Sequence, residues 1–266
     1  MNISCDGFGF SRSCTDSAKL VQATMKTADY GIDKPERVRA LAMVGLVLIG
    51  TGLAQFIALQ GTVEIWPELI LSICLWIGVL LLVVGGVMLW SSMSGKFGLA
   101  WKMLEELKWG GREKVLDVGC GRGLLTIMAA RKAPFGEIIG IDIWSQEQLS
   151  ENTKEAATEN AETERVLDRV RFEDGDVTNL KFGPSCFDKI VSGFCLHAIG
   201  SRKERNKAVV NLIKLLRPGG QIAILDILHT REYKIVFEQQ GLRNIRRSPM
   251  KFLYFLPTRY VIGEKL

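Results

Sequence analysis

The chain has 266 residues, of which 47% are apolar, and it carries a formal net charge of +5. This length allows one ordinary domain plus an appendage. The six cysteines form neither a Cys-x-x-Cys pair nor a metal-ligand spacing, which excludes a small disulfide-stabilised scaffold and predicts a reducing compartment and no metal site.

The basic excess is confined to residues 230–266, which hold eight Lys and Arg and three Glu. Two interpretations remain open for this end of the chain. It is either a solvated surface or a surface that rests against anionic lipid. Nucleic acid is not expected as a partner, because no aromatic interleaving or binding motif accompanies the charge.

The N-terminal part of the chain predicts a tail and a membrane hairpin. Residues 1–37 are expected to be a disordered cytosolic tail, because the first thirty are rich in Ser, Thr, Asp and Cys without periodicity. Residues 40–63 contain no charged side chain, and neither do residues 69–95. Each run exceeds the roughly 20 apolar residues that a helix needs to cross a bilayer. They predict a two-helix transmembrane hairpin over residues 38–95, with helices at about 40–61 and 68–90.

Charges around this hairpin predict its orientation. Lys34, Arg37 and Arg39 precede the first run, and Lys96 and Lys102 follow the second, whereas the short connecting loop has two glutamates and no Lys or Arg. The positive-inside rule then places both termini, and the domain of residues 96–266, in the cytosol. A buried helical pair within a soluble domain is the alternative.

Residues 96–266 predict an α/β domain, because strand-like and helix-like segments alternate after an opening helix. The strands are expected in EKVLDVG, EIIGIDI, VRFEDGDV, FDKIVSGF and GGQIAILDIL, and the helices in LLTIMAARKA and residues 145–167, 202–216 and 233–240. The remainder predicts two closing strands. This alternation indicates a mostly parallel sheet with helices on both faces.

The first strand leads into a glycine-rich turn, DVGCGRG, at residues 117–123. Gly119, Gly121 and Gly123 permit a tight turn and let a ligand approach the main chain. A helix N-terminus with free N–H donors follows. Such a turn is equally typical of dinucleotide binding.

Two acids extend this site. Asp142 ends the second strand about twenty residues after the glycines, where a carboxylate can accept hydrogen bonds from both ribose hydroxyls. Asp176 ends the third strand and can receive an exocyclic amine. The fourth strand ends in SGFCLH, residues 192–197, at the crevice where open α/β sheets bind ligands.

In this order and spacing, VLDVGCGRG, GIDIW, EDGDV, FDKIVSGFCLH and LLRPGGQIAILDI resemble the class I S-adenosylmethionine-dependent methyltransferases, in particular the group that includes the ubiquinone and menaquinone methyltransferases. The resemblance covers residues 96–266. It implies a seven-stranded, Rossmann-like sheet with an antiparallel last strand, and S-adenosylmethionine as the cofactor. It also implies that the three glycines approach the amino-acid part of the cofactor, Asp142 binds ribose, Ile143 packs on adenine, and Asp176 and Val177 recognise the adenine edge.

Three further residues are candidates for the site. Asp117 either contacts the cofactor or merely caps the glycine turn, and Ser192 is a candidate cofactor contact at the end of the fourth strand. His197 is the single catalytic candidate. It is either a base or substrate contact, or a histidine satisfied by backbone at a helix start. A base is required only if the acceptor must lose a proton.

We therefore expect a membrane-anchored methyltransferase that acts on a small, lipophilic acceptor, such as a lipid or a quinone, drawn from the bilayer. The hairpin replaces the N-terminal segment that recognises the acceptor in this family. Two alternatives are a catalytically silent module that scaffolds a membrane complex, and a nicotinamide-dependent reductase, whose Tyr-x-x-x-Lys pair is absent after the fourth strand. A third, an arsenic-methylating enzyme, would depend on Cys120, Cys186 and Cys195.

Overall fold

A computed structural model of the protein describes residues 27–58 and 65–266. The helices are α1 (Pro35–Ala58), α2 (Ile65–Trp90), α3 (Lys96–Glu105), α4 (Leu124–Lys132), α5 (Lys154–Thr163), α6 (Arg202–Leu215) and α7 (Thr230–Gln239). The strands are β1 (Lys114–Val118), β2 (Glu137–Asp142), β3 (Val170–Asp174), β4 (Phe187–Gly193), β5 (Leu216–Asp226), β6 (Arg243–Arg247) and β7 (Arg259–Glu264). A π-helical turn, Ser91–Gly95, joins α2 to α3, and a 3-10 turn, Leu196–Ala198, follows β4.

The seven strands form one sheet in the order β3-β2-β1-β4-β5-β7-β6. The first five are parallel, and β7 runs antiparallel to both β5 and β6. One face of the sheet is covered by a core that includes α3, α4 and α5, and the other by a core that includes α6 and α7. This confirms the expected mostly parallel, seven-stranded sheet, and it brings the carboxyl ends of β1, β2, β4 and β5 to one edge.

Helices α1 and α2 are both long and apolar enough to cross a membrane. They pack against each other closely at two glycines, since a methyl group on Gly78 would lie 2.8 Å from the carbonyl oxygen of Gly45. Their outer surfaces are apolar and exposed, as at Met43 (67% exposed) and Trp76 (74%). An apolar surface of this extent indicates contact with another apolar phase or partner.

The boundary between tail and hairpin differs from the predicted one. Helix α1 begins at Pro35, and the preceding residues 27–34 pack on the α/β domain instead of belonging to a tail. Asp29 exchanges hydrogen bonds with the side chain of Asn160, and its carboxylate lies 3.2 Å from Arg122. The part of the predicted tail before residue 27 lies outside the described residues.

The helix predicted over residues 145–167 is shorter in the structure, where α5 starts at Lys154 behind Thr153, whose side chain accepts a hydrogen bond from the N–H of Ala156. Residues 148–150 are not helical because their main chain pairs with residues 32–34. Lys34 N–H donates to Gln148 O at 3.0 Å, and Ser150 N–H donates to Ile32 O at 3.0 Å. A long-range pairing, which no local pattern encodes, overrides the helical period here.

Candidate functional site

A cavity of about 250 Å³ lies at the carboxyl edge of the parallel strands, where β1, β2, β4 and β5 end. Such edges are where open α/β sheets bind their ligands. The cavity is bordered by the glycine turn on one side, by residues 193–198 on another, and by residues before and within the start of α1 on a third.

The three glycines of the turn adopt left-handed backbone conformations that other residues rarely adopt. Gly119, Gly121 and Gly123 have φ angles of +70°, +53° and +85°. A Cβ on Gly119 would collide with the side chain of Cys195, and one on Gly123 would lie 2.9 Å from the ring of Phe172. Gly119 and Gly121 line the cavity, whereas Gly123 precedes α4 as its left-handed N-terminal residue and does not.

Asp142 is nearly buried at the end of β2 and lines the cavity. Its Oδ2 accepts the N–H of Gly121 at 2.8 Å, so the acid also fixes the glycine turn. Its Oδ1 accepts from the N–H of Trp144 at 2.7 Å and from the side chain of Asn152 at 3.3 Å. Because each carboxylate oxygen can accept two hydrogen bonds, Oδ2 keeps capacity for a ligand hydroxyl.

Asp117 is fully buried at the end of β1 and has one unpartnered oxygen. Its Oδ2 accepts the hydroxyl of Thr126 at 2.6 Å, while Oδ1 has no hydrogen-bond partner among the described residues. Burial raises the pKa of this carboxyl to about 7, and the negative charge of Asp142 adds to the rise. A buried carboxylate with spare capacity, facing a cavity, fits a cationic ligand better than a role as a turn cap alone.

Besides Gly123, three more of the predicted cofactor residues lie outside the cavity lining. Asp176 is exposed, and its side chain accepts the N–H of Thr178 at 2.8 Å. Val177 is buried in the core that includes α6, and the Ser192 hydroxyl donates to the carbonyl of Val118 at 2.8 Å. Ile143, by contrast, lines the cavity and is 70% exposed, so it presents an open apolar surface to a ligand.

His197 lines the cavity within the 3-10 turn, next to a buried acid. Its Nδ1 lies 2.6 Å from Oδ1 of Asp226, a close contact whose direction departs from hydrogen-bond geometry, and its main-chain N–H donates to Oδ2 at 3.0 Å. Asp226 ends β5 and also accepts the hydroxyl of Tyr233 at 3.1 Å. The sequence prediction named His197 but missed Asp226; the signal available was its position as the last residue of a buried strand.

The segment before α1 forms one wall of the cavity. The cavity is lined by Tyr30, Asp33 and Lys34 from this segment and by Arg37 from the first turn of α1. Lys96, at the start of α3, is buried beneath this segment and donates from Nζ to the carbonyls of Tyr30 and Gly31, each at 2.9 Å. Burial lowers the pKa of Lys96, and its nearby counter-charge is Asp33 at 3.7 Å. Lys96 thus joins the base of the hairpin to the α/β domain.

Residues 115–220 match the family model described as a methyltransferase domain. This match covers less than half of the chain. S-adenosylmethionine is the methyl donor of the methyltransferase family, and the buried, unpartnered oxygen of Asp117 beside the cavity fits a cofactor that carries positive charge.

Known proteins resemble parts of this chain. Erythromycin 3''-O-methyltransferase of Saccharopolyspora erythraea is 33% identical over 116 residues, which are 44% of this chain and 35% of the relative. The chloroplastic 2-phytyl-1,4-beta-naphthoquinone methyltransferase of Arabidopsis thaliana is 26% identical over 164 residues, 60% of each chain. An O-methyltransferase family protein from Burkholderia thailandensis superposes with a TM-score of 0.53 at 17% identity, covering 70% of this chain and 60% of that one. The chain therefore spans less than two thirds of the length of these curated relatives, and the structural likeness concerns the fold.

The three cysteines considered for arsenic chemistry are not brought together. Cys120 and Cys195 border the cavity, but burial raises the pKa of both thiols well above the ordinary value, which disfavours the reactive thiolate. Cys186 precedes β4, at the opposite edge of the sheet. Within the described ranges, no cluster of three or more His, Cys, Asp or Glu could hold a metal ion.

Proposed function

We propose that this protein is a membrane-anchored, S-adenosylmethionine-dependent methyltransferase that transfers a methyl group to a small, lipophilic acceptor, with its catalytic domain on the cytosolic face. The observation that carries the proposal is the cavity formed by Gly119, Gly121 and Asp142, one wall of which is the chain just before an apolar helix hairpin.

The cofactor, when bound, supplies an already activated methyl group, so the chain's task is mainly orientation. Gly119 and Gly121 line the cavity, Asp142 keeps acceptor capacity for ribose hydroxyls, and Ile143 offers an apolar face for adenine. Alignment of reacting groups in this way can lower a barrier by roughly 7–11 kcal/mol. Contacts from Gly123, Asp176, Val177 and Ser192 remain part of the proposal, although these residues lie outside the cavity lining.

His197 is the proposed base for an acceptor that must lose a proton. Oδ1 of the buried Asp226 lies 2.6 Å from Nδ1 on one side of the ring, and the ring borders the cavity. General-base assistance typically contributes about 10²–10⁴-fold to a rate. The buried acid makes His197 better suited to this role than to that of a histidine satisfied by backbone.

The position of the cavity supports a lipophilic acceptor. Arg37 lines it, and the uncharged run of α1 starts at Ala40, three residues later. At about 1.5 Å of rise per residue, the cavity is less than one helical turn from the start of the apolar run. A relative named for a prenylated naphthoquinone supports the same acceptor class.

The test uses the full chain in lipid nanodiscs. Calorimetry with S-adenosylmethionine and S-adenosylhomocysteine should detect binding of both, and membranes incubated with methyl-labelled cofactor should yield a labelled, organic-extractable product. Asp142→Ala should weaken cofactor binding by about tenfold or more. The matched control is Asp168→Ala, an exposed acid that pairs with Arg169 away from the cavity. Absence of binding in the unaltered protein, or equal affinity in both variants, would refute the proposal.

A further inference from the structure

A second cavity, of about 740 Å³, adjoins the first. It lies between the end of β5, the N-terminus of α7 and the segment that links β6 to β7. Ile227 and Leu256 line both cavities, so the two share a wall. The lining also includes four arginines: Arg202, Arg231, Arg247 and Arg259.

Three of these arginines have no carboxylate partner among the described residues. Arg247 donates from Nε to the hydroxyl of Thr230 at 3.0 Å, Arg259 reaches the carbonyl of Ser248 at 3.5 Å, and Arg231 has no recorded ion pair. Burial, followed by the positive charges of Arg259 and Arg231, lowers the pKa of Arg247. Like charges held together around a cavity are costly unless an anion joins them.

The single carboxylate of the lining does not neutralise them. Glu232 lies 2.9 Å from Arg205 and 3.0 Å from His229, and its nearest contact with Arg202 is 3.8 Å. Its charge is therefore engaged with residues other than the three unpaired arginines. The N-terminus of α7, which no side chain caps, borders the same cavity and adds a partial positive charge.

The lining also has an apolar part, and the segment that supplies Met250 and Leu256 to it reaches the base of the hairpin. Leu228, Met250 and Leu256 are exposed between the arginines. In the segment that links β6 to β7, the Leu253 carbonyl packs against Gly95 at the base of α2, and Phe252 is 73% exposed. Charge and apolar surface in one cavity suit a ligand that has both.

We propose that this arginine cavity binds the phosphate-type head group of an amphiphilic acceptor whose apolar part lies beside the hairpin, while its methyl-accepting part enters the neighbouring cavity. The proposal rests on the methyltransferase function proposed above and narrows its acceptor class. Guanidinium groups bind phosphate oxygens in pairs, which favours arginine over lysine for this purpose. The proposal also assigns a role to part of the basic excess of residues 230–266.

The experiment titrates the full chain in neutral detergent micelles with three probes: dioctanoyl phosphatidic acid, dioctanoylglycerol and inorganic phosphate. The double variant R247Q/R259Q should bind the phosphatidic acid at least about tenfold more weakly than the unaltered protein does. The matched control is R243Q/R246Q, which removes two exposed arginines of β6, the strand that also carries Arg247. Neither lines the cavity, so the affinity of this control for phosphatidic acid should be unchanged.

Comparison of the affinities for the three probes distinguishes an amphiphilic ligand from a soluble phosphorylated one. Binding of phosphatidic acid well above that of dioctanoylglycerol and phosphate supports an amphiphile. Equal binding of inorganic phosphate would overturn it in favour of a soluble phosphorylated ligand, and equal loss in both double variants would overturn the site itself. Cofactor affinity, measured in the same samples, tests the proposed methyltransferase function independently. If R247Q/R259Q binds both the cofactor and the phosphatidic acid as well as the unaltered protein does, the arginine cavity is refuted while the methyltransferase proposal stands.

Discussion

Nδ1 of His197 lies 2.6 Å from Oδ1 of Asp226, which is completely buried at the end of β5. The two residues come from neighbouring parallel strands and their extensions, and they meet at the edge of the cavity that the glycine turn borders. The imidazole thus borders the cavity with a buried carboxyl group on one side, which is the basis for proposing it as a proton acceptor.

His197→Gln is expected to lower kcat by about 10²–10⁴-fold, because the variant keeps a polar side chain but cannot accept a proton at the same site. Cofactor affinity should stay unchanged, which separates a chemical role from a structural one. The measurement is kcat as a function of pH with the labelled product as readout. A variant with an unaltered rate and pH profile would show that His197 is not the base.

The pH dependence of stability should report Asp117. Its pKa is about 7 in the folded protein against an ordinary value of 3.8, so between these values the folded state keeps a proton that the unfolded state has released. The free energy of unfolding should therefore fall as pH rises from about 4 to about 7. Asp117→Asn should remove much of this slope. Denaturant unfolding of the detergent-solubilised protein at several pH values measures it, and identical slopes in both proteins would contradict the assignment.

Lys96 is expected to hold the segment before α1 against the cavity. Lys96→Met leaves two buried carbonyls and Asp33 without their donor, which should destabilise the protein by about 3–5 kcal/mol. Hydrogen exchange of residues 28–34 should become faster. Lys102→Met, which changes an exposed lysine of the same helix, is the control and should leave exchange unaltered. Equal protection in both variants would argue against this role.

Gly119→Ala is expected to abolish cofactor binding, since its Cβ would collide with Cys195 and its φ is +70°. Gly219→Ala provides the control, because Gly219 has φ of +77° but open space around its Cβ. Both changes carry a backbone cost of about 1–2 kcal/mol. They differ in the collision and in position, since Gly119 lines the cavity and Gly219 does not.

Combining Gly119→Ala with Cys195→Gly removes the colliding side chain and should restore part of the affinity. Calorimetric titration of the four proteins with S-adenosylhomocysteine measures the effect. Equal affinity in the Gly119 and Gly219 variants would mean that the close approach to Cys195 is irrelevant to the site.

The sequence by itself determined the order of elements, the sheet class and the glycine turn with Asp142. These features are local: a strand of apolar residues, a turn that requires positive φ, and an acid at a strand end are each encoded within a few adjacent positions. The apolar runs of α1 and α2 were equally readable, because span length and absence of charge are properties of composition.

Only the tertiary structure decided what closes the cavity. Residues 32–34 pair with residues 148–150, Lys96 is buried beneath the same segment, and Asp226 lies next to His197. Each of these contacts joins residues far apart in the chain, and their formation depends on burial and on partners that no local period reveals. The arginine cavity has the same origin: Arg231, Arg247 and Arg259 come from α7, β6 and β7, and folding alone brings their charges around one space.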